Sequence, residues 1–414
     1  MCGVSEKTTC AVVGGGPAGM VLGLLLARAG VHVTVLEKHA DFLRDFRGDT
    51  VHPTTLRLID ELGLWPKFAV IPHSKLKKGT FEVRPGHSVT VVDFERLRLP
   101  HPYIAMVPQW DLLNLLAEAA EAEPTFTLRM STEVTGLLRE GGRVSGVRYR
   151  DADGPGELRA DLTVGCDGRW SVVRRETGLQ IREWPVSFDA WWFRLPRREG
   201  DQDYTLFPRI APGKAMIVIP RVGYLQIALL IPKGTDARLR ARGLDGFHAD
   251  VLELFPEAGD TVTTITTLDD VKHLDVHMNR LRRWHSDGVL CIGDAAHAMS
   301  PAGGVGINVA VQDGVATARL LAEPLLRGRV TDRNLARVRR RRVVPTAVTQ
   351  VLQRLIDRRL LRPILGGGDA AGPPPALIRL VERVPWLAVI PGYLVGVGVR
   401  PERAPKFARR TPAR

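Results

Sequence analysis

Between Thr8 and His39 the hydrophobic positions change period twice. Cys10 to Val13 form a short apolar run. Leu22, Leu25, Leu26 and Ala29 then recur at helical spacing, and Val31, Val33 and Val35 alternate. The pattern predicts strand, helix and strand, with a glycine turn at the first junction. Pro17 suits the first helical turn and Gly30 marks its end. Two later apolar runs also end in turn dipeptides. "ADLTVGCDGRWSVVRRETGL" predicts a strand closing at Asp167-Gly168 and a helix entered near Ser171. Val289 to Ile292 predicts another strand closing at Gly293-Asp294, and "AAHAMSPAGGVGINVAVQDG" then sets glycines ahead of an amphipathic run from Asn308.

The segments between carry strand patterns bounded by Pro and Gly, among them "HSVTVVDFERL", "FDAWWFRLP", "KAMIVIP" and "YLQIALLIP". They suggest a mixed sheet, with "ARLRARGLDGFHADVLELF" as a helical insertion. Trp191 and Trp192 are neighbours on one strand and face opposite sides. One can line a pocket while the other packs against the first domain or the outer helices, with core packing the simpler reading for each. Beyond about residue 330 the chain reads as helical, broken at "ILGGGDAAGPPPA". "LIRLVERVPWLAVIPGYLVGVGV" is interrupted by Pro385 and Pro391 and reads as core packing rather than membrane contact.

Composition narrows the class. The chain has 414 residues, enough for two or three packed units. No apolar run reaches about 18 residues, so no transmembrane helix is expected. The first residues lack a secretory pattern, which points to the cytoplasm. Cys2, Cys10, Cys166 and Cys291 show no metal or disulfide spacing, and the three that border apolar runs read as small buried hydrophobes. The net charge of +13 is local: eight arginines fall between Arg327 and Arg342. A solvated helix face accounts for them, and an acidic or membrane surface is the alternative; no nucleic-acid partner is expected.

Gly14-x-Gly16-x-x-Gly19 gives the first junction its chemistry. Gly14 permits the tight turn, Gly16 lets a pyrophosphate approach the backbone, and Gly19 lets helix and strand pack closely. Glu37, at the end of the second strand, accepts from ribose hydroxyls. The unit implies a dinucleotide without saying which.

Together with "GCDGRWSVVR" and "GDAAHAMSPAGGVGINVAVQDG", this cradle resembles the three fingerprints of the FAD-dependent aromatic hydroxylases, flavin monooxygenases of the para-hydroxybenzoate hydroxylase type. The resemblance runs from Gly14 to Gly314. It implies that Gly14, Gly16, Pro17, Ala18 and Gly19 hold the FAD pyrophosphate, with Glu37 and Lys38 at the adenosine end. Arg47, in "FRGDTVHPTTLRLIDELGL", would lie near the phosphates. Gln109 heads "VPQWDLLNLLAEAA" where many members carry arginine, a departure that weakens this contact. Asp167 falls where FAD and NAD(P)H use meet, and Asp294 takes the ribitol. Pro301, Gly303, Gly304 and Gly306 pass the isoalloxazine ring. Ile307 and Asn308 open a helix aimed at the pyrimidine edge of the flavin. His297 is a candidate catalytic residue, but a local hydrogen bond holding the loop is the preferred reading.

The implied fold is α/β (α+β overall): a Rossmann-type FAD-binding domain of residues 1–70, 103–180 and 284–330, an inserted mixed-sheet substrate domain of 71–102 and 181–283, and a C-terminal helical region of 331–414. The implied reaction uses NADPH or NADH and O2. Through a flavin C4a-hydroperoxide it hydroxylates or epoxidises a largely apolar aromatic or polycyclic molecule, in a monomer or homodimer and without a metal. A halogenase or prenyl-chain reductase of the same fold is one alternative; a redox-silent binding or membrane-surface module is another. The segment from Asp189 to Ile231, with Trp191, Trp192, Phe193, Phe207 and Tyr224, suits a bicyclic or larger aromatic. Arg194 and Arg209 are expected to point to solvent.

Overall fold

The first strand, β1 (Glu6–Val13), is followed by α1 (Pro17–Arg28) and β2 (Val33–Leu36), as the change of period requires. Next come α2 (Pro53–Glu61), α3 (Gln109–Glu121), β3 (Phe126–Arg129), β4 (Glu133–Glu140), β5 (Arg143–Asp151) and β6 (Gly154–Gly165). The short helix α4 (Val172–Thr177) then begins behind Ser171. This is a computed structural model, and it describes residues 6–43, 49–84, 87–198, 207–367 and 375–410.

The second layer of strands is β7 (Phe188–Pro196), β8 (Phe207–Ala211), β9 (Lys214–Pro220) and β10 (Tyr224–Pro232). α5 (Gly243–Leu254) covers it, and β11 (Lys272–Leu274) completes it. The chain returns through β12 (His285–Ser286) and β13 (Val289–Cys291) to a long helix, α6 (Gly306–Leu326). α7 (Asp332–Ile356) and α8 (Val389–Gly396) follow.

The first sheet has eight strands, with the path β12-β13-β6-β1-β2-β3 and β5 and β4 added antiparallel beside β6. β3, β2, β1, β6 and β13 are mutually parallel, which gives a Rossmann-type α/β fold. Register decides what this sheet presents. Leu36 pairs with Val13, Val13 with Gly165, and Gly165 with Cys291, so three distant segments end in one row. The strands beneath are buried on both faces, with Val12, Val35, Val164 and Leu290 fully inaccessible.

The second sheet runs β8-β9-β10-β7-β11 and is antiparallel throughout, not mixed as its strand patterns suggested. Its central strands are joined by tight turns at Gly213 and Gly223, both at positive φ, and such connections are too short for a parallel crossover. Trp191 and Phe193 point from one face into a cluster with Phe247 of α5, while Trp192 points from the other toward Ile217 and Ile219. Trp191 Nε1 donates to Asp236 at 2.7 Å. The outward tryptophan is therefore Trp191.

Two expectations about the C-terminal region change. Arg342 is not on a solvated face: it is 2 % exposed, because α7 packs that position against α6. The segment after residue 375 is broken by its prolines into short helices and does not pack wholly into the core. Leu380, Trp386, Ile390 and Tyr393 remain about half exposed. No helix among the described residues is long and apolar enough to cross a membrane.

Candidate active site

The row formed by Val13, Leu36, Gly165 and Cys291 puts the turns after β1, β2, β6 and β13 on one edge of the sheet. Gly14 turns at φ +101, and a Cβ there would stand 2.7 Å from the Cys166 carbonyl oxygen. The first and second turns therefore touch through backbone alone. Gly16, the residue before α1, differs: an added Cβ would meet nothing within 4 Å. Pro17 begins the helix, Ala18 is buried, and a Cβ on Gly19 would collide with the Gly14 carbonyl. α1 has no side-chain cap among the described residues and no acidic residue in its first turn, so its leading N–H groups are left for an anion.

Glu37 is buried and organises this cradle. Its Oε2 accepts from the Gly15 N–H at 2.8 Å, and its Oε1 accepts from the His39 N–H at 3.1 Å. Lys38 beside it is exposed. At the second turn, both oxygens of Asp167 are engaged by α4: Ser171 Oγ donates at 2.6 Å and the Val173 N–H at 3.1 Å. Burial pushes the Asp167 carboxyl above its usual range. Asp294, in the turn after β13, is one-third exposed and sits 3.4 Å from Arg169 Nε. This pair links the second and third turns.

The loop behind Asp294 is held from below. Pro301 is partly buried, Gly303 is exposed, and Gly303 and Gly304 both take positive φ. The Gly304 carbonyl accepts from Thr50 Oγ1 at 2.8 Å and lies 3.0 Å from His52 Nε2. The other ring nitrogen of His52 is 3.0 Å from the Val395 carbonyl of α8. Burial drives the His52 ring down to about 4, so it is neutral and its single N–H serves one carbonyl at a time. Gly306 and Ile307 start α6 and are partly buried, and Asn308 is buried with its Oδ1 accepting from Thr54 and Thr55 at 2.7 and 2.9 Å. α6 also lacks a side-chain cap and a first-turn acid, whereas α7 carries a full Thr331–Asn334 capping box. Other helices, α2 and α8 among them, also lack a side-chain cap, so what marks α1 and α6 is that each starts from a turn on this edge.

His297 takes part in a buried ion network that the sequence did not reveal. Its Nε2 donates to Asp313 Oδ2 at 2.5 Å; the same oxygen accepts from the Gly293 N–H at 3.1 Å, and Arg342 Nε donates to Oδ1 at 2.8 Å. Burial alone would raise the Asp313 carboxyl, but His297 and Arg342 hold it below the usual range. His297 thus braces the Gly293–Asp294 turn against α6, facing the interior. Asp313 reads as an ordinary polar helix position, so only its partners disclose it.

A second buried pair ties the turn between β9 and β10 to the segment leading into α2. Arg221 Nη2 donates to Asp49 Oδ2 at 2.8 Å and to Gln226 Oε1 at 2.7 Å, and the Gln109 N–H reaches Asp49 Oδ1 at 3.4 Å. Arg194 lies beside this pair, 4.7 Å over the Tyr224 ring and 5.8 Å from Trp110, and not out in solvent as expected, because its strand face looks toward α3. Arg209 pairs with Glu257 at 2.8 Å on the outer side. Beside Gly303 runs a narrow apolar crevice of 40 Å³, walled by Val305, Val348, Leu352, Ile356 and Val395. Arg47 and the Phe207 side chain lie outside the described residues.

The thiols take no part. Burial pushes Cys10 up to about 12 and raises Cys166 and Cys291 as well, so all three stay protonated.

The family profile described as "FAD binding domain" matches residues 7–352. 6-Methylpretetramide 4-monooxygenase of Streptomyces rimosus is 32% identical over 397 residues, covering 91% of this chain and 90% of that protein. Rifampicin monooxygenase of Streptomyces venezuelae is 28% identical over 327 residues, covering 73% of this chain but 61% of its own length. The crystal structure of P. aeruginosa PqsL with 2-aminobenzoylacetate superposes with a TM-score of 0.73 over 87% of this chain and 99% of that one. At 20% identity that likeness concerns the fold alone.

Proposed function

The chain belongs to the FAD binding domain family and is an oxidoreductase of the flavin monooxygenase type; from this premise we propose that it uses NADPH or NADH and O2 to hydroxylate a largely apolar, polycyclic aromatic molecule. One observation carries the reading. Two uncapped helix N-termini, the open cradle at Gly16 and the Asp294 carboxylate share a sheet edge with an apolar crevice at Gly303. A dinucleotide with a flat ring at one end fits such an edge.

Gly14 to Gly19 and α1 would hold the pyrophosphate, Glu37 the ribose hydroxyls and Asp294 the ribitol. Pro301 to Gly306 would pass the ring with bare backbone. When bound, FAD supplies the redox chemistry, carrying reducing equivalents from NAD(P)H to O2 and an oxygen atom to the substrate. The protein's contribution is orientation and exclusion of water. The positive end of α6, near Gly306 to Asn308, favours negative charge at the adjoining ring edge. Val305 and Val395, beside Gly303, would give the ring an apolar neighbourhood.

The substrate class rests on two supports. Trp192 faces the side of the second sheet toward Ile217 and Ile219. The relative from Streptomyces rimosus is named for a pretetramide substrate. The test is anaerobic mixing of the yellow enzyme with NAD(P)H and a panel of aromatics, followed by aerobic turnover. Bicyclic or larger aromatics should accelerate flavin reduction and give hydroxylated product without excess peroxide. Tight coupling with a monocyclic benzoate, and none with the larger compounds, would overturn the substrate class.

A further inference from the structure

Away from the flavin edge, α2, the segment after Asp93, the C-terminal half of α6, α8 and residues 401–409 enclose a cleft of about 1020 Å³. It shares no lining residue with Gly14 to Gly19, Glu37, Asp294 or the 301–308 loop. Seven of its lining side chains are cationic, and no carboxylate lines it among the described residues. Leu97, Val389, Val397 and Phe407 give it an apolar floor.

Most of these cations have neighbouring acids outside the cleft. Arg96 meets Asp93 at 3.1 Å, Arg319 meets Glu402 at 3.1 Å, and Arg403 and Arg409 each lie 4.0 Å from Glu61. Although the Glu61 carboxylate on the same helix also acts on it, Arg57 is set apart by its burial and its unused donors. It is 8 % exposed, and its Nε and Nη2 are buried without a hydrogen-bond partner among the described residues. Burial, and then Arg403 nearby, weaken its hold on its proton, and Glu61 and Tyr393 offset this only in part. A guanidinium withdrawn from water beside a second cation, with two donors unused, is unfavourable unless an anion meets it.

We propose that this cleft binds an amphipathic small-molecule anion, with a phosphate or carboxylate head taken by Arg57 and an apolar body lying on Leu97, Val389 and Val397. The planar fork of Arg57 matches two oxygens of either head group. Arg98, exposed at the rim, adds charge without anchoring the fold.

The test is calorimetric titration of FAD-saturated holoenzyme, so that the flavin's own phosphate cradle is filled. The probes are monomeric octyl phosphate, octanoate and inorganic phosphate. Octyl phosphate should bind about tenfold more tightly than inorganic phosphate, as expected if roughly two buried methylenes or more contribute. Arg57→Gln should reduce octyl phosphate affinity by about tenfold or more while the melting temperature holds or rises, since a buried unmatched charge is removed. Arg98→Glu should also weaken binding, and it carries the test if Arg57→Gln fails to fold. Unchanged affinity in both variants, or no binding by the native protein, would overturn the site. Equal affinity for octyl and inorganic phosphate would overturn its apolar half. Holoenzyme that floats with anionic vesicles but ignores monomeric octyl phosphate would overturn the small-molecule assignment.

Discussion

Asp313 of α6 and Arg342 of α7 meet 2.8 Å apart inside the protein, and the other oxygen of the same carboxylate holds His297 and the Gly293 backbone. The carboxylate is fully buried and the guanidinium nearly so. Arg342→Met should therefore leave an under-compensated charge in the core and cost about 3–5 kcal/mol. Urea denaturation followed by tryptophan fluorescence measures it. Because the Gly293–Asp294 turn hangs on the same carboxylate, FAD should also leave the variant at lower denaturant than it leaves the native enzyme.

Acid should destabilise the protein in two stages. An unfolded His52 takes up a proton near 6.5, but the buried ring resists until about 4. The stabilisation from keeping it neutral is fully present above 6.5 and is lost as the pH falls toward 4, on the order of 3 kcal/mol. Asp275 and Asp313 act lower. Lys233 chiefly holds Asp275 at about 2, and Asp313 also lies below its usual 3.8. Both contributions are present above 3.8 and are lost as the pH falls below it, that of Asp275 toward about 2. His52→Gln should flatten the stability curve between pH 6.5 and 4 and leave the lower stage in place.

Two glycines should separate folding from cofactor binding. Gly314→Ala places a Cβ 2.9 Å from the Ala18 carbonyl, where α6 crosses α1, and should destabilise the fold by about 1–3 kcal/mol. Gly16→Ala meets no atom within 4 Å and should leave the melting temperature of the flavin-free protein unchanged. It should still weaken FAD binding, since the methyl group projects where a phosphate must approach. Equal loss of stability in both variants would contradict this division.

At the carboxylates, Asp294→Ala should lose about 1.5–3 kcal/mol of FAD binding, the usual worth of a hydrogen bond to a charged acceptor. Asp294→Asn keeps an acceptor and should lose less. Glu37→Arg should also release FAD, and by a second route, because the Gly15 N–H loses its partner. Flavin absorbance after gel filtration reads all three. Full occupancy in Asp294→Ala would remove this residue from the site.

The first βαβ unit was legible because its information is local: periods of two and 3.6 with glycines between them. Asp294 and the 301–308 loop were legible for the same reason, as a turn and a helix start in continuous sequence. What stayed hidden depends on distant partners. Arg342 belongs to a run of eight arginines, and residue type alone does not say which one Asp313 will face. Asp49 and Arg221 are 172 residues apart and pair only once the second sheet reaches the segment ahead of α2. The direction of strand pairing in that sheet was hidden too, because turn geometry decides it more than strand pattern does.

The row of strand ends at Leu36, Val13, Gly165 and Cys291 also has a meaning in time. A chain emerging from its N-terminus completes the glycine cradle early, yet β1 lacks its neighbour β6 until about residue 165. The Asp294 turn cannot form before β13 follows, and α7 must arrive later still to seat Arg342 on Asp313. Contacts closed over such separations form slowly. A ribosome-bound fragment ending before Val289 should thus hold no flavin, while a chain that includes β13 and α6 should gain stability from the FAD it binds. The edge that would hold the flavin is assembled only after all four of these strand ends have been made.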